Sequence, residues 1–149
     1  MKEIQRGKVL AVNISEKKGT RKTNVQSCAA MKDFGLKDDA HGGPWHRQVS
    51  LLANESIEKM KAMGLNVGYG DFAENITTEG VDLVHLPVGT TIRIGDAVTL
   101  RVTQIGKVCH ERCAIYYQAG DCVMPKEGIF TEVIQEGVVK AGDEIVVEA

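Results

Sequence analysis

The stretch from Cys109 to Cys113 places residues that can do thiol chemistry at consecutive positions. It reads Cys-His-Glu-Arg-Cys, and Cys122 follows nine residues later, so three of the four cysteines lie within fourteen positions. A cation beside a cysteine favours the thiolate, which is the form that attacks electrophiles and binds soft metals. Because His110 and Arg112 each adjoin a cysteine, the stretch predicts either a reactive site or a group of buried packing residues.

Three interpretations of this cluster follow from the residue types. A structural zinc site would use Cys109, Cys113 and Cys122 with His110 as the fourth ligand, but zinc knuckles usually have two close ligand pairs and here there is one. Buried cysteines that pack as small apolar side chains are the second interpretation, which is favoured for Cys28 and Cys122. The third is a reactive or metal-binding thiolate, favoured by the cationic neighbours and by the position just after a predicted strand.

Composition predicts one globular domain over residues 1–149. Apolar residues make up 43% and charged residues 26%, and the net charge of −2 gives no general electrostatic reason to bind nucleic acid or an anionic membrane. The N-terminus lacks the apolar core of a signal peptide, and no apolar run approaches the roughly 18 residues of a membrane span. We therefore expect a cytoplasmic protein whose thiols stay reduced, with neither nucleic acid nor membrane as a partner.

Apolar alternation, turn residues and capping residues predict about eight short strands and two helices. Short strands at close spacing argue against a parallel α/β sheet, and they favour a mainly β fold built as an antiparallel barrel or curled sheet. The last two strands are expected to pair around a turn at residues 141–143. The expected strands cover 7–15, 25–31, 46–52, 72–81, 90–94, 97–103, 138–139 and 144–147, and the expected helices cover 55–63 and 124–136. The first helix is expected to have Asn54 as its N-cap and to stop at Gly64, and the second to be bounded by Pro125 and Gly137. A tight turn at Gly95-Asp96 is expected between the strands 90–94 and 97–103.

Other polar residues have two interpretations each. The loop 16–22 is either a solvated hairpin tip or a binding loop for a phosphate group. His41 could serve as a metal ligand or general base, or be exposed in a loop capped by aspartates. His46 either borders a pocket or forms hydrogen bonds at the rim of the barrel. Glu74 and Asn75 could contact a ligand, although an asparagine at such a position more often satisfies backbone groups. His85 is expected to be a plain surface residue.

Several stretches, in a specific order and spacing, together carry a family resemblance that covers roughly residues 7–147. They are 71–83 (DFAENITTEGVDL), 86–90 (LPVGT) with 94–96 (IGD), Arg112-Cys113, and 120–125 (GDCVMP) with 128–130 (GIF) and 142–143 (GD). The chain resembles the MOSC domain, the module at the C-terminus of molybdenum cofactor sulfurases, and in particular its small stand-alone bacterial members. This resemblance implies a β-barrel-like fold.

The resemblance also implies binding of a molybdenum cofactor of the molybdopterin type, or sulfur carriage on a cysteine persulfide, with or without catalysis by this chain alone. The metal-ligating cysteine of the family corresponds to Cys113, with Cys109 as its rival and Arg112 beside it. Thiolate is a soft ligand that suits molybdenum, and the phosphate of the pterin needs cationic donors. His46 and Asn75 are assigned to the same cofactor site. The candidate cations for the phosphate are Lys17, Lys18, Arg21, Lys22 and Arg47.

The implied partners are the pterin cofactor and a cysteine desulfurase or molybdoenzyme. The aminotransferase-like domain of the sulfurases is missing, so pyridoxal phosphate is not expected. A non-enzymatic zinc-stabilised binding module, or a scaffold protein without a ligand of its own, remains the alternative.

Overall fold

The computed structural model describes residues 4–17, 22–40, 42–106 and 128–148. Within these ranges the chain forms eleven strands and one helix. No helix in the described part is long and apolar enough to cross a membrane. The elements are β1 (Ile4–Ile14), β2 (Thr23–Val25), β3 (Ser27–Met31), β4 (Gly35–Leu36), β5 (Val49–Ala53), α1 (Asn54–Ala62), β6 (Ile76–Glu79), β7 (Thr91–Ile94), β8 (Val98–Ile105), β9 (Ile129–Gln135), β10 (Gly137–Lys140) and β11 (Glu144–Glu148).

Seven strands close into a barrel, which confirms the predicted fold class. Around the barrel the order is β1, β11, β7, β8, β9, β5 and β6, and β6 returns to β1. All neighbours in this ring are antiparallel except β5 and β6, which are parallel. Strand β2 extends the sheet beside β1, and β10, β3 and β4 form a separate three-stranded sheet. Closure removes most unpaired strand edges.

The barrel interior is filled by the apolar side chains that alternate along the strands. In β8, Val98, Leu100 and Val102 are buried, while Arg101 between them is exposed, as the alternation predicts. These three pack with isoleucines and valines of the neighbouring strands in one continuous core. Burial of each such side chain contributes about 1.5–3 kcal/mol, so this interior supplies the main favourable term in folding of the barrel.

Helix α1 makes the crossover between the parallel strands β5 and β6. Its buried residues Ile57 and Met60 pack on the outer face of the barrel against Leu52 and Phe130. Asn54 was expected to cap the helix, but it is the first helical residue. The N-cap is Ala53, whose side chain cannot cap. The cause is that β5 runs directly into the helix, so the last residue of the strand takes the cap position.

The C-terminal end of α1 has the predicted glycine. The N–H of Gly64 donates to the carbonyl of Lys61 at 2.9 Å, and the N–H of Leu65 donates to the carbonyl of Met60 at 3.3 Å. This pair of bonds is a Schellman motif, which requires a left-handed residue after the C-cap. Gly64 meets the requirement with a φ of +93°.

We expect Gly64→Ala to lower the free energy of unfolding by about 1 kcal/mol, because a Cβ is strained in the left-handed region. The matched control is Gly68→Ala. A Cβ at either position meets no atom within 4 Å, but only Gly64 has a positive φ. Urea denaturation of the two variants measures the difference. Equal stabilities would contradict the assignment of strain to Gly64.

The predicted helix over 124–136 is wrong where the structure describes it, because residues 129–135 form strand β9. The prediction arose because proline is typical of a helix start and glycine of a helix end, and Pro125 and Gly137 lie at these positions. The segment nevertheless alternates Ile129, Thr131 and Val133 toward the interior, and it pairs with β8 and β5. Pairing on both sides satisfies its backbone groups and decides against the helix. Residues 124–127 lie outside the described ranges.

The last two strands exist, but they do not pair with each other. Strand β10 pairs with β3 in the small sheet, whereas β11 pairs with β1 and β7 in the barrel. Residues 141–143 therefore carry the chain from one sheet to the other. The strand expected over 25–31 is likewise two strands, because β2 pairs with β1 and β3 pairs with β10 and β4.

Candidate functional site

The barrel rim at the end of β8 and the start of β9 leads into the cysteine-containing segment. The N–H of Gly106 donates to the carbonyl of Gly128 at 2.6 Å, so the two ends of that segment are joined by a backbone hydrogen bond. Cys109, Arg112, Cys113 and Cys122 lie between these glycines, outside the described residues. The assignments made to them from the sequence stay predictions, and the same holds for Lys18, Arg21 and His41.

Gln104 connects this rim to two of the predicted site residues. Its Nε2 donates to the carbonyl of Gly106 at 2.7 Å, and its Oε1 accepts from Nε of Arg47 at 3.1 Å. Both partners have only one possible role, since a carbonyl accepts and an arginine Nε donates. The orientation of the Gln104 amide is therefore fixed by chemistry. No sequence signal pointed to Gln104, because it lies among the alternating residues of a strand end.

His46 meets the same Gln104 oxygen, with Nε2 of the ring 3.0 Å from Oε1. Because that oxygen can only accept, Nε2 of His46 must carry the proton. The neutral ring then has Nδ1 as its accepting atom. His46 is exposed at the barrel rim, in agreement with one of its two predicted positions.

Arg47 is half-buried, and its guanidinium lies over two aromatic rings. The carbon Cζ is 5.2 Å from the ring centre of Phe130 and 5.9 Å from that of Trp45, within the range of cation–π contact. Its terminal amino groups make no hydrogen bond or ion pair with any residue in the described ranges. Within the described ranges, the rim thus holds an oriented cation whose terminal amino groups have no acceptor.

The other arginines in the described part of the chain behave differently. Arg6, Arg93 and Arg101 each pair with a carboxylate across neighbouring strands, and all three lie on the surface. Arg47 is the exception among the described arginines, since its fixed contacts are an amide and two rings. The three surface arginines are thus paired with carboxylates, whereas Arg47 has no carboxylate partner among the described residues.

Asn75 is buried, and its side chain uses its full hydrogen-bonding capacity within the protein. Its Nδ2 donates to the carbonyl of Asn13 at 3.2 Å and to Oδ2 of Asp39 at 3.0 Å. Its Oδ1 accepts from the N–H of Ser50 at 2.9 Å and from the Ser50 hydroxyl at 3.2 Å. The alternative role, satisfaction of backbone groups, is the one the geometry supports, so Asn75 holds the loop around it in place.

Lys22, a candidate for the phosphate, is instead part of a buried ion pair. Its Nζ lies 2.7 Å from Oδ1 of Asp39, and both side chains are fully buried. The Ser15 hydroxyl accepts from Nζ at 3.1 Å, and the Ser15 N–H donates to the same Asp39 oxygen at 3.0 Å. Lys22 thus anchors the loop that leads to Arg21. Lys17 lies exposed in the same loop.

Glu74 is a fully buried carboxyl group that the sequence did not single out as a titrating residue. One oxygen accepts from the Thr77 hydroxyl at 2.7 Å and from the N–H of Gly70 at 3.0 Å, while Oε1 has no partner in the described structure. Burial raises the pKa of Glu74, although the hydrogen bonds from Thr77 and Gly70 oppose the shift. Folding therefore shifts the ionisation of Glu74 toward the acid form, relative to an exposed carboxyl group.

Cys28 packs against the barrel core, as expected for a cysteine in an apolar run. Its Sγ donates to the carbonyl of Lys37 at 3.3 Å, and burial raises the pKa of the Cys28 thiol. A raised pKa keeps the thiol protonated and lowers its reactivity. His85 is exposed, as predicted, with Nδ1 2.7 Å from a carboxylate oxygen of Asp82.

Comparison with solved structures shows that the barrel is shared by small bacterial proteins. The YuaD protein from Bacillus subtilis matches with a TM-score of 0.83 over 100% of this chain and 99% of that chain, at 19% identity. YiiM from Geobacillus stearothermophilus matches with a TM-score of 0.70 over 95% of this chain and 74% of its own, at 21% identity. YiiM from Escherichia coli matches with a TM-score of 0.66 over 95% and 69%, at 19% identity. At these identities the likeness establishes the fold.

Family assignment comes from the sequence comparison. No curated protein matches the chain. The family model of the MOSC domain matches residues 37–146, a range that runs from before the Arg47 site to the final strand of the barrel. Together with the closed barrel and the order of its motifs, this match shows that the chain belongs to the MOSC domain family.

Proposed function

We propose that this protein binds a molybdopterin-type cofactor, or carries sulfur on a cysteine, at the rim where Arg47 and Gln104 meet the ends of the cysteine-containing segment. MOSC membership associates the chain with molybdenum cofactor-related binding or sulfur transfer. The observation that carries the proposal is the oriented Arg47 beside the base of that segment, since its terminal amino groups have no acceptor among the described residues. Cys109 follows Gly106 by three residues, and three residues of chain span at most about 11 Å.

The donors in the described part of the rim fit the phosphate end of such a cofactor. Arg47 supplies a cation with a planar pair of amino groups, which matches two oxygens of a phosphate. His46 lies beside it and contacts the same Gln104 oxygen. When bound, the cofactor would supply a molybdenum centre for oxygen or sulfur chemistry. Binding and orientation of its anionic end would be the work of this chain's residues.

The cysteines supply the thiol half of the proposal. Cys113 is the preferred thiolate and Cys109 its rival, with Arg112 beside Cys113 to favour the charged form. For sulfur carriage, the Cys113 thiolate attacks the outer sulfur of a donor persulfide. A new S–S bond forms on Cys113, the S–S bond of the donor breaks, and the donor leaves as a thiolate. A cysteine desulfurase would be such a donor.

Cys113→Ala is expected to abolish copurified molybdenum, or persulfide formation when a cysteine desulfurase and cysteine are supplied, because the attacking thiolate is gone. Anaerobic purification, metal analysis and intact mass measure both quantities, a persulfide adding about 32 Da to the chain. The matched control is Cys28→Ala, which removes a half-buried, hydrogen-bonded thiol elsewhere and should leave both signals unchanged. Cys109→Ala tests the rival position in the same experiment.

Two outcomes would contradict the proposal. If Cys113→Ala and Cys109→Ala both keep metal and persulfide at the wild-type level, neither cysteine is the working thiol. If the purified protein instead holds one zinc ion that resists dialysis, and zinc is lost in Cys109→Ala, Cys113→Ala and Cys122→Ala alike, the zinc-stabilised module is the correct alternative.

A further inference from the structure

We propose that Arg47 is the centre of a preorganised receptor for an oxyanion of the phosphate-monoester class, and that Gln104 is the residue that positions it. The inference deepens the proposed function, because it rests on that function for the natural ligand and names the group by which the ligand is held. The receptor itself is defined by contacts in the described structure, and inorganic phosphate can test it without any cofactor.

The hydrogen-bond inventory of Arg47 points to an anion. A guanidinium has five N–H donors, and one of them, on Nε, is used by Gln104 at 3.1 Å. The remaining four are on the terminal amino groups and have no acceptor in the described part of the chain. Their planar arrangement matches two oxygens of a tetrahedral oxyanion, which would give two parallel charge-assisted bonds.

The surroundings of Arg47 fix the plane of its guanidinium before any ligand arrives. Gln104 holds Nε on one edge and is itself held by the carbonyl of Gly106 at 2.7 Å. The guanidinium carbon also lies over the rings of Phe130 and Trp45. A side chain already held in one orientation loses less conformational entropy on binding, so more of the interaction energy appears as affinity.

The charge around Arg47 also favours an external anion. An arginine in a purely structural role in this barrel has a carboxylate partner, as Arg6, Arg93 and Arg101 do. Arg47 has neutral contacts in place of a carboxylate, so its charge is not compensated by any described residue. A half-buried, uncompensated cation attracts phosphate more strongly than a singly charged carboxylate, because phosphate carries the larger charge.

The test is a titration of the full chain with inorganic phosphate, observed through the 15N-labelled Nε–H resonance of Arg47, at constant ionic strength set with chloride. We expect saturable shifts of this resonance, and weaker binding of acetate than of phosphate. Arg47→Lys keeps the charge but loses the planar fork, and should weaken phosphate binding about tenfold, as followed through neighbouring backbone amides. Arg101→Lys is the matched control, since Arg101 is paired with Glu132, and should bind phosphate as the wild type does.

Substitutions of Gln104 distinguish positioning from mere structural support. Gln104→Leu removes the Nε contact and should weaken phosphate binding about threefold, since the guanidinium is then held less firmly. Gln104→Glu places a carboxylate at the same point, where it pairs with Arg47. The free energy of unfolding should then be kept or raised, while phosphate affinity falls more than about tenfold. A residue with a structural role alone would change affinity and stability in the same direction.

The receptor is disproved if phosphate leaves the Arg47 resonance unmoved, if Arg47→Lys or Gln104→Glu binds phosphate as the wild type does, or if Arg101→Lys loses as much affinity as Arg47→Lys. The outcome is separable from that of the proposed function. Cys113→Ala should bind inorganic phosphate normally, so a wrong thiol assignment leaves the receptor intact. Loss of the receptor likewise leaves persulfide formation on Cys113 to be judged by mass.

Discussion

Asp39→Asn is expected to lower the free energy of unfolding by about 3–5 kcal/mol, the cost of removing one partner of a buried ion pair. The variant leaves the Lys22 ammonium buried without the carboxylate that lies 2.7 Å away. It also disturbs the bonds that Asp39 accepts from the Ser15 N–H and from Asn75. Urea denaturation at neutral pH measures the loss.

The control for Asp39→Asn is Glu58→Gln, which breaks the exposed pair of Glu58 and Lys61 on α1 at 3.2 Å. Surface pairs contribute about 0–1 kcal/mol, so this change should be small. The double variant Lys22→Met with Asp39→Leu should recover much of the loss, because it removes both charges together. A cost below about 1 kcal/mol for Asp39→Asn would show that the pair does not hold the loop.

Lys22 and Asp39 also support the proposed site, through the loops that they join. The pair connects the segment that follows Arg21 with the segment that leads to Arg47, and Asn75 ties both to the barrel. If Arg21 belongs to the cofactor site, Asp39→Asn should also weaken cofactor retention. The phosphate receptor at Arg47 is supported separately by Gln104, so its affinity should change less.

Glu74→Gln is expected to make the protein progressively more stable than the wild type as the pH rises. The pKa of Glu74 is raised in the folded state, so the folded protein holds this proton more tightly than the unfolded chain, whose carboxyl titrates near 4.5. Between these two pKa values the unfolded state has released the proton and the folded state has kept it. Each pH unit in this window then costs the wild type up to about 1.4 kcal/mol.

The decrease in the wild-type free energy of unfolding begins above the pKa that Glu74 has in the unfolded chain. It is complete once the pH has passed the pKa that Glu74 has in the folded protein. The amide introduced by Glu74→Gln cannot ionise, and it can still accept from Gly70 and Thr77, so the variant lacks this loss. Urea denaturation between about pH 5 and pH 8 gives the difference curve. Glu79→Gln is the control, since Glu79 is exposed at the far end of β6, the strand that begins just after Glu74. A difference between wild type and Glu74→Gln that does not vary with pH would refute the assignment.

Glu74 also lies beside a close contact between two loops. Its carboxylate accepts from the N–H of Gly70, and the carbonyl of Gly70 accepts from the N–H of Lys22 at 2.8 Å. Gly70 has a φ of +86°, and a Cβ there would lie 2.3 Å from the Lys22 carbonyl oxygen. The backbones of these two loops therefore approach more closely than any other residue would permit, and Glu74 lies at the base of that contact.

Alternation of apolar residues predicted most of the barrel strands, because the period of two is visible within each short stretch of sequence. Val98, Leu100 and Val102 point inward as the period of two requires, and the turn at Gly95 joins β7 and β8 as predicted. The helix α1 and its glycine stop could also be predicted, since the Schellman motif depends on neighbouring residues alone.

Partners far along the chain could not be predicted in the same way. Residues 129–135 looked helical between a proline and a glycine, and they became a strand because β8 and β5 flank them on both sides. Lys22 resembled a phosphate-binding cation in a polar loop, and its burial against Asp39 is set by the fold. Asn75 resembled a ligand contact, and long-range partners use its whole side chain.

The sequence by itself determined the β-barrel class, the MOSC motifs and the cluster of thiols and cations from Cys109 to Cys113, because each is a matter of residue type and spacing. Only the tertiary structure decided which charges are available. It buries Lys22 on Asp39 and pairs three arginines with carboxylates. Arg47 is instead held by Gln104, and its terminal amino groups have no acceptor among the described residues. The physical reason is that desolvation and pairing of a charge depend on residues brought together from distant parts of the chain.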